Sequence, residues 1–191
     1  MLSVPIASQS YETLIKDLMI SSNIKWKKKH LQTIHQAYAK APYKADLAIL
    51  LESIYDIKSD KLIDYTWSFI KRVFDWLEYD ARIVFSSDYN LYKSRSGRLI
   101  ELCEIIGITH YLSPEGARGY IEKEGLMRNS DLFISYQEYT PQVYRQINTQ
   151  GFVTNLSIVD IIANLGKEGT KAYLSTLNSM RKFFHLRKIK K

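Results

Sequence analysis

RLIELCEIIGITHYLSPEGARGYI, residues 98–121, decides how the whole chain is read. Leu99, Leu102, Cys103 and Ile106 fall at i, i+3, i+4 and i+7, the apolar face of one helix. Gly107 ends that helix, because glycine enters the left-handed C′ conformation without a Cβ clash. Residues 108–112 are short, apolar and partly β-branched, as a buried strand should be. Ser113, Pro114, Glu115 and Gly116 break the strand, and residues 117–121 start a second helix. Helix, strand, tight loop and helix in this order predict a right-handed crossover and a parallel sheet.

Toward the N-terminus, residues 2–6 (LSVPI) read as a strand and residues 14–20 as another. Residues 23–41 predict a helix with Leu31, Ile34, His35 and Tyr38 on its stripe, ended by Pro42. Residues 45–57 place Leu47, Leu50, Leu51 and Ile54 in helical register. From a cap at Ser59 or Asp60, a long helix runs to Glu78 with Ile63, Trp67, Ile70, Phe74 and Leu77 down one side. Phe69, Val73 and Trp76 widen that side, so it should be covered from two directions. Residues 82–85 form a short apolar strand before a polar loop.

Toward the C-terminus, residues 131–136 predict a strand and residues 139–155 are irregular. Residues 157–165 predict a helix with Ser157 as N-cap and Asp160 as the carboxylate of a capping box. Gly166 closes it, and residues 168–177 add a last turn or two. The fold class is α/β: a central, mostly parallel sheet flanked by helices, with a helical first half. One domain spans residues 1–177, followed by a basic tail at 178–191.

The net charge of +7 misleads, because six cations lie in the last eleven residues and account for nearly all of it. The basic balance therefore belongs to the tail, and no specific nucleic-acid partner is expected of the domain. Phe183, Phe184, Leu186 and Ile189 interleave with those cations, so residues 180–191 could make weak contact with an anionic membrane surface. Cys103 is the single cysteine; it lies on an apolar stripe and reads as a core thiol in a reducing, cytoplasmic setting. No apolar run approaches the ~20 residues needed to cross a bilayer.

In a parallel sheet, ligands gather beyond the carboxyl ends of the strands. Three turns meet that condition, at Ser86–Ser87–Asp88, at Ser113–Pro114–Glu115–Gly116 and at Tyr136–Gln137–Glu138. With Arg98 and Arg118 they could hold a phosphate or a sugar. Gly116-x-x-Gly119 lacks the earlier glycine of the dinucleotide fingerprint, and no Gly-Lys-Ser/Thr occurs, so no cofactor is expected. The four histidines pair with no cysteine or carboxylate at ligand spacing, so no metal is expected. His35 reads as a core histidine and His110 as packed in mid-strand. His30, one turn after Trp26 at the edge of its stripe, is the candidate general base.

Several stretches together resemble the WbqC-like family of bacterial proteins, often encoded among genes for O-antigen and related surface polysaccharides. They are LSVPI at 2–6, WKKKHLQTIHQAYAKAPY at 26–43, residues 98–121 above, and PQVYRQINTQGFVTNLSIVDIIANLG at 141–166. The resemblance implies a transferase that makes sugar building blocks, with a nucleotide-linked or lipid-linked amino sugar as partner. It carries over Trp26, His30, Tyr38, Pro42 and Tyr43, then Tyr111, Ser113, Gly116 and Tyr120, then Tyr144, Gln146, Ser157 and Asp160. Family members usually continue upstream of the LSVPI-like strand, so the resemblance implies an N-terminally shortened member. Pro114 also replaces an expected glycine and removes one N–H from its loop.

Two functions are in view. One is a transferase with His30 as base and a binding rim of Trp26, Tyr43, Ser86, Ser87, Arg98, Ser113, Glu115, Gly116, Arg118, Tyr144 and Gln146. The other is a non-catalytic remnant or binding protein, docking at the membrane surface through its tail.

Overall fold

The computed structural model describes residues 2–22, 25–125 and 130–179. The expected helix start at Asn23 and the basic tail at 180–191 lie outside the described residues. The described residues form six helices and a parallel pair of strands, a mixed α/β fold. The chain divides into two compact units, Met1–Ala81 with Pro141–Ser175, and Arg82–Thr140 with Thr176–Lys191.

The first unit is built on helices α1 (Lys25–Ala37), α2 (Lys44–Tyr55), α3 (Leu62–Leu77) and α6 (Ile158–Ser179). Helix α2 buries Leu47, Leu50, Leu51 and Ile54, the stripe its spacing predicts. Each such side chain contributes about 1.5–3 kcal/mol by leaving water. They pack with Ala41, Val73, Leu77, Ile162 and Ala163 into one core.

Helix α3 is rotated from the expected face. Tyr65, Val73 and Leu77 are buried, with Phe69 and Trp76 packed beside them, while Ile70 is 44% exposed. Residues 65, 69, 73 and 76 also recur at helical spacing, so apolar periodicity alone admits both faces. The choice is made by the Tyr65 hydroxyl, which donates to the Ile57 and Ser59 carbonyls at 2.7 and 2.9 Å. His35, expected in the core, is exposed on α1.

Two expected strands of this unit are not strands. Pro5 has no N–H to give a ladder, and residues 2–6 contribute one isolated antiparallel bridge, Ile6 to Ile20. Residues 14–20 open with a 3₁₀ turn at Ile15–Asp17, and only Met19 and Ile20 pair, Met19 with Lys61.

Gly166 breaks α6 as the sequence predicts, but the helix resumes at once. Its φ of 66° and ψ of −170° lie outside helical space. A Cβ there would stand 2.5 Å from the Tyr43 ring, so both the conformation and the space require glycine.

The second unit contains α4 (Arg95–Ile105), β1 (His110–Pro114), α5 (Arg118–Glu124) and β2 (Phe133–Gln137). Helix α4 ends in a Schellman motif: Gly107 takes φ 73°, Ile108 N–H donates to the Cys103 carbonyl at 2.8 Å, and Gly107 N–H to Glu104 at 3.3 Å. β1 and β2 pair in parallel from His110↔Phe133 to Pro114↔Gln137. Tyr111, Ile134 and Tyr136 face the small core of Ile100, Ala117 and Ile121.

The mostly parallel sheet is therefore smaller than expected. Residues 82–85 pair with no strand, and Ile83 and Phe85 stay 39% and 37% exposed. A four-residue apolar run carries the pattern of a strand, but only a neighbour completes its hydrogen bonds.

Candidate functional site

In the second unit, the parallel pairing sends two loops off the same end of the sheet. One follows Pro114 through the 3₁₀ turn Glu115–Ala117 into α5; the other follows Gln137. Arg118 stands where α5 begins. Its guanidinium lies 4.1 Å from the centre of the Tyr136 ring, a cation–π contact. Glu115 grips it from one side, with Nε and a terminal nitrogen donating to the two carboxylate oxygens at 2.6 and 2.8 Å. Glu122 approaches to 3.7 Å from the next turn.

The arginine draws the Glu115 carboxyl below its usual range, and Glu115 in turn holds the guanidinium charged. Burial, then the charge of Glu122, raises the Tyr136 phenol. Both carboxylates are half exposed, so these pairs add little stability. They hold a cation ready in a place where an incoming anion can exchange for them. Ser113 is buried at the end of β1 with its hydroxyl toward Pro114 O at 3.4 Å, and Tyr111 bonds to the same serine.

The first unit holds a polar network around Asp160. This carboxylate is 5% exposed. It accepts from the Tyr144 hydroxyl at 2.6 Å and the Gln146 amide at 3.0 Å. The Tyr38 hydroxyl is directed at it as well, and burial with the facing charge pushes that phenol well above its ordinary range. Tyr144 is raised for the same reasons. Gln146 also clasps Val153 through both its carbonyl and its amide, at 2.8 and 3.0 Å. Asn164 carries the network on, donating to the Asp160 carbonyl at 2.8 Å and accepting from Ile147 N–H at 3.0 Å. The capping box forms only in part: Ser157 Oγ accepts from Val159 N–H at 3.4 Å, while the Asp160 carboxylate is committed to Tyr144 and Gln146.

His30 is buried in the same unit. Nε2 lies 3.0 Å from the Ser3 carbonyl and Nδ1 3.0 Å from the Tyr55 hydroxyl. A carbonyl only accepts, so in the neutral ring Nε2 carries the proton and Nδ1 takes the Tyr55 hydroxyl. Proton abstraction by His30 needs Tyr55 to release that lone pair first. Trp26 packs edge-on against His30, Tyr55 and Tyr65, at 5.2, 5.7 and 5.5 Å.

The expected rim residues thus fall in two groups. Ser113, Glu115, Gly116 and Arg118 share one end of the sheet in the second unit. Ser86 and Ser87 stand exposed in the turn Ser86–Asp88, which leaves no strand, and Arg98 is exposed on α4. Trp26, His30, Tyr43, Tyr144 and Gln146 belong to the first unit. His110, expected to be packed, is exposed and stacked on Phe133 at 5.0 Å. Cys103 is buried, and burial raises its thiol. Asn164 was hidden from spacing arguments; its one signal is its position four residues after Asp160. Among the described residues, no group of three or more His, Cys, Asp or Glu side chains could hold a metal ion.

The chain belongs to the WbqC-like protein family, whose pattern matches residues 1–172. It is similar to the Uncharacterized protein Rv1507c of Mycobacterium tuberculosis (strain ATCC 25618 / H37Rv), 25% identical over 170 residues that cover 87% of this chain and 72% of that protein. No solved structure matches.

Proposed function

We propose that the protein is a cytoplasmic transferase acting on a nucleotide-linked or lipid-linked amino sugar during assembly of bacterial surface polysaccharide. The family name points to O-antigen-related gene clusters. The observation that carries the chemical part is Arg118. It is held flat on Tyr136, at the end from which both parallel strands emit their loops, by carboxylates that water already reaches. A planar guanidinium with several donors suits the phosphate of an activated sugar, and the aromatic face beside it suits a sugar ring or base. No described helix is long and apolar enough to cross a membrane, so the substrate would be met from the aqueous side. His30 enters as a general base through Nδ1, in step with the Tyr55 hydroxyl.

The reading is tested by denaturation in the presence of nucleotide sugars that carry amino or acetamido groups, and of a polyprenyl-phosphate sugar. A ligand at 100-fold its Kd adds about 2.7 kcal/mol to stability. At least one of these compounds should do so, and none of them doing so would contradict the proposal.

A further inference from the structure

Asp160 presents a problem that the transferase reading does not use. Its carboxylate is nearly sealed from water, yet none of the ion pairs among the described residues reaches it. Its side-chain neighbours are neutral donors: two phenols and a carboxamide. Neutral donors solvate a charge but leave it in place, and a buried charge is ordinarily paired. The raised Tyr38 and Tyr144 phenols fit that picture, since the facing negative charge opposes formation of a second one.

The walls are aromatic. Tyr144 meets Phe152 and Tyr173 edge-on at 5.3 and 5.4 Å. Tyr38, Tyr144 and Gln146, which shield the carboxylate, are themselves only partly buried. The anion therefore lies one side-chain layer beneath the surface. A carboxylate behind electron-rich ring faces is the arrangement that selects a cation with hydrogens to donate.

We propose that Asp160, with the Tyr38 and Tyr144 rings, forms a binding site for a protonated primary amine. The ammonium supplies the positive charge that the fold omits, and its hydrogens replace part of the bonding now given by the phenols and Gln146. An acylated amine is neutral and larger, and the site rejects it. The proposal stands apart from the phosphate chemistry at Arg118.

The experiment uses the full chain and two probes, glucosamine and N-acetylglucosamine, at mildly acidic pH where the free amine is protonated. Saturation-transfer NMR reads binding, and the Tyr ring resonances report its place. Glucosamine should bind and shift the Tyr38 and Tyr144 resonances, while N-acetylglucosamine should not. Asp160→Asn keeps an acceptor for Tyr144 and removes the charge, so glucosamine binding should weaken at least tenfold in a protein whose amide spectrum is otherwise native. Should Asp160→Asn fail to fold, Tyr144→Phe retains the ring and must still weaken glucosamine severalfold, and the wild-type ring shifts remain decisive. Equal binding of both sugars, no binding of glucosamine, or binding that leaves the Tyr38 and Tyr144 resonances unmoved overturns the proposal. Neither probe carries a phosphate, so failure here leaves the transferase reading intact, and failure of the nucleotide-sugar screen leaves this one intact.

Discussion

The two units solve the problem of holding polar groups in opposite ways. In the first, nine buried residues make a core of facing helices, and the charge at Asp160 is sunk beneath half-buried tyrosines. In the second, four buried residues support two strands, and the charges of Arg118, Glu115 and Glu122 stay within reach of water. The difference follows from burial. A deep carboxylate must keep its partners because leaving them costs the full desolvation penalty, whereas a surface ion pair exchanges partners almost freely. A permanent recognition element therefore suits the first unit and an exchangeable phosphate grip the second.

The largest expected effects come from breaking each core separately. Leu47→Ala removes a fully buried side chain from the larger cluster and should cost about 2–5 kcal/mol. Ile121→Ala in the smaller cluster should fall in the lower half of that range, because fewer neighbours bound the cavity. Denaturant titration gives the magnitudes. Amide exchange gives the sharper comparison: each substitution should lower protection mainly in its own unit. Equal loss everywhere from both would erase the distinction.

Gly166→Ala should rank next, at about 2–4 kcal/mol. It combines a backbone conformation strained for any L residue with a Cβ placed on the Tyr43 ring. Its counterpart is Gly119→Ala on α5, where a Cβ meets nothing within 4 Å. There the gain in helix propensity should stabilise by up to about 1 kcal/mol. Thermal melts of the pair should move in opposite directions.

The smallest effect is a pH dependence. Glu78 ends α3 in the left-handed region, φ 54°, and its carboxylate accepts from Lys167 and Lys171 at 2.6 Å each. Hydrogen bonds from the two lysines lower its pKa from 4.5 to about 2. A depressed folded-state value means the contribution is fully present above 4.5 and is lost as pH falls from there toward 2. Glu78→Gln should therefore flatten part of the acid limb of the stability profile. Glu101, Glu115 and Glu124, all lowered too, keep some slope in place.

Local signals in the chain translated directly into structure. The stripe of α2, the Gly107 stop and the Gly166 break each depend on residues within one or two turns. What spacing could not decide were choices made by distant atoms. Helix α3 carries apolar residues on two sides, and its rotation is set by carbonyls six and eight residues upstream of Tyr65. Asp160 stands three residues after a serine, as a capping carboxylate should, yet it bonds to a tyrosine and a glutamine 16 and 14 residues away. Residues 82–85 have strand composition and no strand beside them. On the site, parallel pairing and the Ser113–Arg118 loop were legible from the order of elements. The part played by Tyr136 depends on a ring stacking that no spacing encodes.

Calorimetric titration of wild type, Arg118→Ala and Arg118→Lys with the nucleotide sugar that stabilises the protein most tests the central claim directly. A charged hydrogen-bonding contact is worth about 1.5–3 kcal/mol. Arg118→Ala should therefore weaken binding roughly 10- to 100-fold, with Arg118→Lys in between because it keeps the charge and loses the fork. Affinity unchanged in Arg118→Ala would contradict the account and remove the carboxyl end of the β1–β2 pair from the site.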